Sequence, residues 1–163
     1  MKTIKNKELL VGADFAGYPL KEAVVAHLKK KGWKITDVGV RADSDPDDTD
    51  LMFHRVGLRV GAMISEGEFE RALIFCGTGM GMNMIANRFK GVRAAVVESV
   101  FAAKMCRTIN DANVLCMGQM IWGDCMATAA VDAFLDTKFT QGLEDLAPFL
   151  QDAAKKVDAI DGK

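Results

Sequence analysis

Histidine is scarce in this chain, with His27 and His54 the only two in 163 residues. A cysteine or serine nucleophile normally needs an imidazole beside it, so that scarcity weighs against most triad-like hydrolytic chemistry. The four cysteines, Cys76, Cys106, Cys116 and Cys125, form no C-x₂-C pair and lie far in sequence from both histidines. This excludes the tight ligand spacing of a zinc site. No apolar run nears the roughly 18 residues of a membrane span. Neither sign of charge dominates: 21 Lys+Arg against 22 Asp+Glu give −1. The broad positive field that holds nucleic acid or anionic lipid is therefore missing. The start, Met1 to Glu8, is basic but has no apolar stretch behind it, so no secretory signal is expected. A cytoplasmic location with reduced thiols is the expectation.

What is present is apolar bulk. Half the residues are hydrophobic and 26% are charged, a balance that builds one core and not a disordered chain. We expect a single domain over residues 1–163, with a C-terminal helical extension from about 143. Strand and helix signals alternate throughout. Strands are expected at Glu8–Ala13, Trp33–Gly39, Arg71–Cys76, Arg93–Val97 and Asn113–Met117. Helices are expected around Leu20, Val24 and Leu28, before Ser65, from Ser99 to Thr108, from Asp124 to Lys138 and from Leu143 to Val157. The acidic stretch Arg41 to Asp50 has turn chemistry and lacks the Gly and terminal Glu of a calcium loop. Such alternation predicts an α/β, three-layer, doubly wound domain with a five-stranded parallel sheet. Ligands in such sheets bind at the carboxyl ends of the strands, which places Asp14, Cys76 and the residues after Val97 and Met117 on one rim.

The most informative stretch is Cys76-Gly77-Thr78-Gly79-Met80-Gly81-Met82. Glycines at alternate positions after a buried strand let the backbone turn tightly and aim N–H groups at an anion. It is neither G-x-G-x-x-G nor a phosphate loop ending in Lys-Ser/Thr. A thiol at the strand's end can be held as thiolate by loop amides, which can also stabilise an oxyanion on a substrate. Thr78 supplies a hydroxyl two residues away. Together they suit proton abstraction beside a carbonyl. Cys116 and Cys125 read as small buried hydrophobes, and Met80, Met82 and Met84 as packing residues. His27 reads as structural, His54 as a half-exposed helix residue, and Arg93 as structurally paired. Glu98 is a rim position, either polar contact or solvated surface.

Several motifs in order resemble the ribose-5-phosphate isomerase B / galactose-6-phosphate isomerase family. They are Gly12-Ala13-Asp14-x-Ala16-Gly17 with Leu20-Lys21, the Cys76–Gly81 string with Ala86-Asn87-Arg88, Gly91-Val92-Arg93-Ala94, Asn110-Asp111-Ala112-Asn113-Val114-Leu115, and Val131-Asp132-Ala133-Phe134-Leu135. The similarity runs over roughly residues 8–140. It implies a Rossmann-like fold, aldose–ketose isomerisation of a sugar phosphate, no metal or cofactor, and a homodimer or homotetramer with sites between subunits. By that resemblance Cys76 is the base acting through a cis-enediolate, and Thr78 relays a proton. Gly77, Gly79 and Gly81, with Met80 among them, form the amide cradle. Asp14 binds sugar hydroxyls, with Phe15 beside it, and Asn110 reaches the site from a neighbouring subunit.

The departures from the family pattern carry information too. Phe15 and Ile109 stand where the family has the histidines associated with ring opening. Met120 replaces an arginine, and Gln141-Gly142-Leu143-Glu144 replaces a Gly-Gly-Arg-His stretch that clasps phosphate. Arg107, one turn from Asn110, is the best remaining candidate for phosphate contact. Three readings follow. The chain isomerises a short or open-chain sugar phosphate such as a tetrulose phosphate; or it is one subunit of a galactose-6-phosphate-type hetero-oligomer with a paralogous partner; or it binds sugar without turnover. A mere binder has no need of Cys76 and Thr78, which argues against the third.

Overall fold

Five short apolar runs become five parallel strands in the computed structural model of the chain, which describes residues 7–160. The strands are β1 (Glu8–Ala13), β2 (Lys34–Asp37), β3 (Ala72–Cys76), β4 (Ala94–Val96) and β5 (Val114–Gly118), in the order β2-β1-β3-β5-β4. Every residue of β3 and β5 is buried, as central strands covered on both faces require. At the edges, β2 alternates exposed and half-buried residues, and β4 is partly exposed. The basic start lies outside the described residues up to Asn6.

The helices are α1 (Tyr18–Lys30), α2 (Phe53–Ser65), α3 (Met80–Ala86), α4 (Val100–Asn110), α5 (Asp124–Asp136) and α6 (Ala147–Asp158). Leu9, Val11, Leu73, Phe75, Leu115 and Met117 face α1, α4 and α5, where Leu20, Val24, Leu28, Ala103 and Phe134 meet them. Their neighbours along the strands, Leu10, Ala72, Ile74, Cys76, Val114 and Cys116, face α2 and α3, against Val56, Val60 and Met82. This period-2 division makes a three-layer α/β sandwich. Cys76 therefore points to the α2–α3 side. Lys21 is fully buried, and its ammonium ion pairs with Asp37 at 2.5 Å and also bonds the Val40 carbonyl. It ties α1 to the end of β2.

Three expectations change. Cys125 is exposed on the first turn of α5, since Ala127, Ala130 and Val131 occupy that helix's buried face. Met80 and Met84 are exposed, and only Met82 of that trio packs in the core, because α3 has a single inward face. The last helix begins at Ala147 and not at 143: a 3-10 turn, Glu144–Leu146, precedes it, and a proline sits in its first turn. Among the described residues no helix is long and apolar enough to cross a membrane.

Candidate active site

β3 delivers Cys76 to the carboxyl end of the sheet, 5% exposed, and the chain turns at once into the glycine loop. The Gly79 N–H turns back and donates to Cys76 Sγ at 3.0 Å. Gly79 takes φ +81°, the left-handed region, where a side chain is strained. A Cβ there would also lie 3.0 Å from the Met117 carbonyl carbon. One residue further on, the Met80 N–H donates to Thr78 Oγ1 at 3.3 Å. Thr78 is exposed, and with its oxygen accepting from the backbone its own hydrogen can be donated outward. Two of the expected cradle amides are thus already engaged, one on the sulfur and one on the threonine.

Neighbouring strands hold this loop from both sides. From β1, the Asp14 N–H donates to the Phe75 carbonyl at 3.3 Å, which sets Asp14 beside Cys76. Asp14 Oδ1 accepts from the Gly17 N–H at 2.9 Å. Burial lifts the Asp14 carboxyl above its usual range, against the opposing pull of the Gly17 and Ala16 amides. Gly17, at the start of α1, lies so close to β3 that a Cβ would sit 2.5 Å from the Cys76 nitrogen. Only glycine lets that helix abut the Cys76 peptide. From β5, the Gln119 N–H donates to the Cys76 carbonyl at 2.9 Å and the Met120 N–H to that of Gly77 at 3.0 Å.

Two other thiols are buried. Burial pushes Cys106 up to about 11 and raises Cys116 further, so both stay protonated near neutrality. Among the described residues, no three His, Cys, Asp or Glu side chains are grouped to hold a metal ion.

The structure brings Asp14, Phe15, Cys76, Gly77, Thr78, Gly79, Met80 and Gly81 to one rim, and it does not bring Arg107 or Asn110 there. α4 runs from the carboxyl end of β4 back to the start of β5, so both lie at the opposite end of the sheet. Arg107 is 6% exposed. It donates to the Ala112 carbonyl and pairs with Asp111 at 2.8 Å, and with Arg71 and Arg93 it lines a cavity of about 470 Å³. Burial, the Ala112 carbonyl and Asp111 thus engage the Arg107 guanidinium within its own chain. Asn110 is exposed beside Ile109, in a cavity of about 370 Å³ between β4 and α6. Arg93 pairs with Asp111 and Asp158, and His27 meets Asp132 at 3.0 Å, both structural. His54 and Glu98 are exposed.

Two apolar side chains flank the loop. A Cβ on Gly77 would meet Met120 Cε at 3.3 Å, and one on Gly81 would meet the Phe53 ring at 3.0 Å. Met120 and Phe53 are 76% and 43% exposed. The family pattern marked Met120 as a departure, but its contact with the loop has no periodic signal in the sequence.

Residues 9–147 match the model of the Ribose/Galactose Isomerase family. The chain is 44% identical over 155 residues to the 4-deoxy-4-sulfo-D-erythrose isomerase of Clostridium sp. (strain MSTE9), covering 94% of this chain and 95% of that protein. It is 31% identical over 134 residues to the D-erythrulose-4-phosphate isomerase of Pectobacterium atrosepticum, covering 82% and 86%. The solved ribose-5-phosphate isomerase B of Clostridium thermocellum superposes with a TM-score of 0.81 at 31% identity, over 94% of this chain and 96% of that one. On the family match over residues 9–147 and these relatives, the chain belongs to the ribose/galactose isomerase family of aldose–ketose isomerases.

Proposed function

We propose that the protein interconverts the aldose and ketose forms of a four-carbon sugar with an acidic group on C4, a tetrose phosphate or its 4-sulfo analogue, and that Cys76 is the base. The observation that carries this is the Cys76 Sγ to Gly79 N–H bond at the strand end, on a rim with Phe15 beside Asp14. The thiolate takes the proton from C2 of the aldose, the electron pair forms the C1–C2 double bond of a cis-enediolate, and the proton returns to C1. Thr78 passes the accompanying proton between O1 and O2, and Asp14 accepts from a sugar hydroxyl. Nothing is oxidised or reduced overall.

The chain's lack of imidazoles at positions 15 and 109 fits this substrate. A tetrose whose C4 carries phosphate or sulfonate has no free C4 hydroxyl to close a five-membered ring on C1. It arrives open, and ring-opening groups are superfluous. The similarity to a sulfo-erythrose isomerase and an erythrulose-phosphate isomerase supports the same chain length. Asn110, at the opposite end of the sheet from its own Cys76, serves the site of a neighbouring copy in a homo-oligomer.

The test is to incubate the protein with erythrose 4-phosphate, 4-deoxy-4-sulfo-erythrose and ribose 5-phosphate, and to follow ketose formation by NMR. The four-carbon substrates are expected to react with kcat/KM at least about tenfold above the pentose phosphate. A preference for ribose 5-phosphate would overturn the reading.

A further inference from the structure

We infer that the cavity at the amino end of the sheet, opposite Cys76, is a second binding site, for a phosphate-type oxyanion that retains a hydroxyl, with inorganic phosphate its simplest form. The site is independent of which sugar is the substrate. The residues just before three adjacent strands meet there: Arg71 before β3, Arg93 before β4 and Asn113 before β5. Lys138, past the end of α5, lines the same space, which measures about 470 Å³.

Arg71 is the residue that calls for a ligand. It is 7% exposed, and its Nη1 donates to the Phe134 and Leu135 carbonyls at 3.0 and 2.8 Å. Its Nε and Nη2 bond nothing among the described residues. Nor does it form an ion pair among them, whereas Arg107 and Arg93 share Asp111 at 2.8 and 2.9 Å and Arg93 also meets Asp158 at 2.7 Å. A buried charge is costly unless an opposite charge and hydrogen bonds compensate it. Burial pushes the Arg71 guanidinium down to about 10, and Arg107 pushes it the same way, with only part of this offset by Asp111, Glu70 and Asp136. Lys138 is exposed and likewise without an ion pair among the described residues.

Glu70 supplies the complement. It is half-buried and lines the same cavity as Arg71, yet the two do not pair, and Glu70 Oε2 is sealed from solvent with no hydrogen-bond partner. Arg107 Nε is in the same condition. Donors and an acceptor left open around one cavity suit a ligand that offers both kinds of group. Phosphate near neutrality does so: its oxygens accept from Arg71 and Lys138, and its hydroxyl donates to Glu70. Sulfate has the same tetrahedral shape but no hydroxyl, so it sets a bare oxygen against the Glu70 carboxylate.

The test is an amide-resolved NMR titration of the full chain with inorganic phosphate and, separately, with sulfate at matched ionic strength near neutral pH. Saturable shifts are expected at Glu70, Arg71 and Asn113, with phosphate bound at least about tenfold more tightly than sulfate. Arg71 also holds the end of α5, so the variants are placed on its neighbours. Lys138→Glu, at an exposed position, is expected to weaken phosphate binding about fivefold or more. Glu70→Gln, whose amide can donate, is expected to bring the two anions within about twofold of each other. Shifts confined to Gly77–Gly81, equal binding of both anions by the wild type, or phosphate affinity unchanged in Lys138→Glu overturns the inference.

Discussion

Gly79 donates its N–H to the sulfur of Cys76 at 3.0 Å, and it does so from a left-handed conformation, φ +81°. The residue that makes the turn possible is the one that holds the thiol. Geometry and chemistry are therefore coupled at a single peptide, and substitution there acts on both.

Gly79→Ala is expected to lower stability by about 1–3 kcal/mol, from the strain of a side chain at positive φ and its contact with the Met117 backbone. It also shifts the N–H off the sulfur, so kcat falls while KM changes little. Denaturant midpoints alongside steady-state kinetics check this; wild-type kcat in a destabilised variant would separate the two roles.

Arg107→Met is expected to cost stability and not substrate affinity. The side chain is buried and donates to the Ala112 carbonyl, while Asp111 is part-exposed and keeps Arg93, so the loss is about 1–3 kcal/mol. KM within about twofold of wild type, measured under conditions where the variant is folded, is the result that agrees with its burial and its bond to the Ala112 carbonyl.

Asp14→Asn is expected to raise stability near neutral pH while lowering activity. The carboxyl's folded-state pKa is raised, so the folded chain holds that proton more tightly than the unfolded one. Ionised Asp14 therefore destabilises the fold above its folded pKa, and the cost is relieved as pH falls through that value toward the unfolded one. Asparagine keeps an oxygen for the Gly17 N–H without the charge. A melting-temperature profile against pH is the check: the gap between variant and wild type should close on acidification.

Much of this was legible in the sequence for physical reasons. β1, β3 and β5 are short apolar runs because they are buried on both faces, and Leu20, Val24 and Leu28 mark α1 by helical spacing. The glycine loop announced itself because a tight turn at a strand's end demands that residue type. What stayed hidden depends on direction and not on pattern. Arg107 is a near neighbour in sequence to the strand that borders the site, yet α4 carries it to the far end. Cys125 had no neighbour pattern to show that it faces outward. That Met120 and Phe53, 67 positions apart, meet the same loop follows only from the fold.

The most direct test of Cys76 as the base is turnover of a four-carbon substrate in deuterated water, followed by NMR. Wild type is expected to place solvent deuterium at C1 of the ketose and C2 of the aldose. Cys76→Ser is expected to keep its fold while losing label exchange and isomerisation together, by about 10²–10⁴-fold. Exchange at the wild-type rate in folded Cys76→Ser would contradict the account.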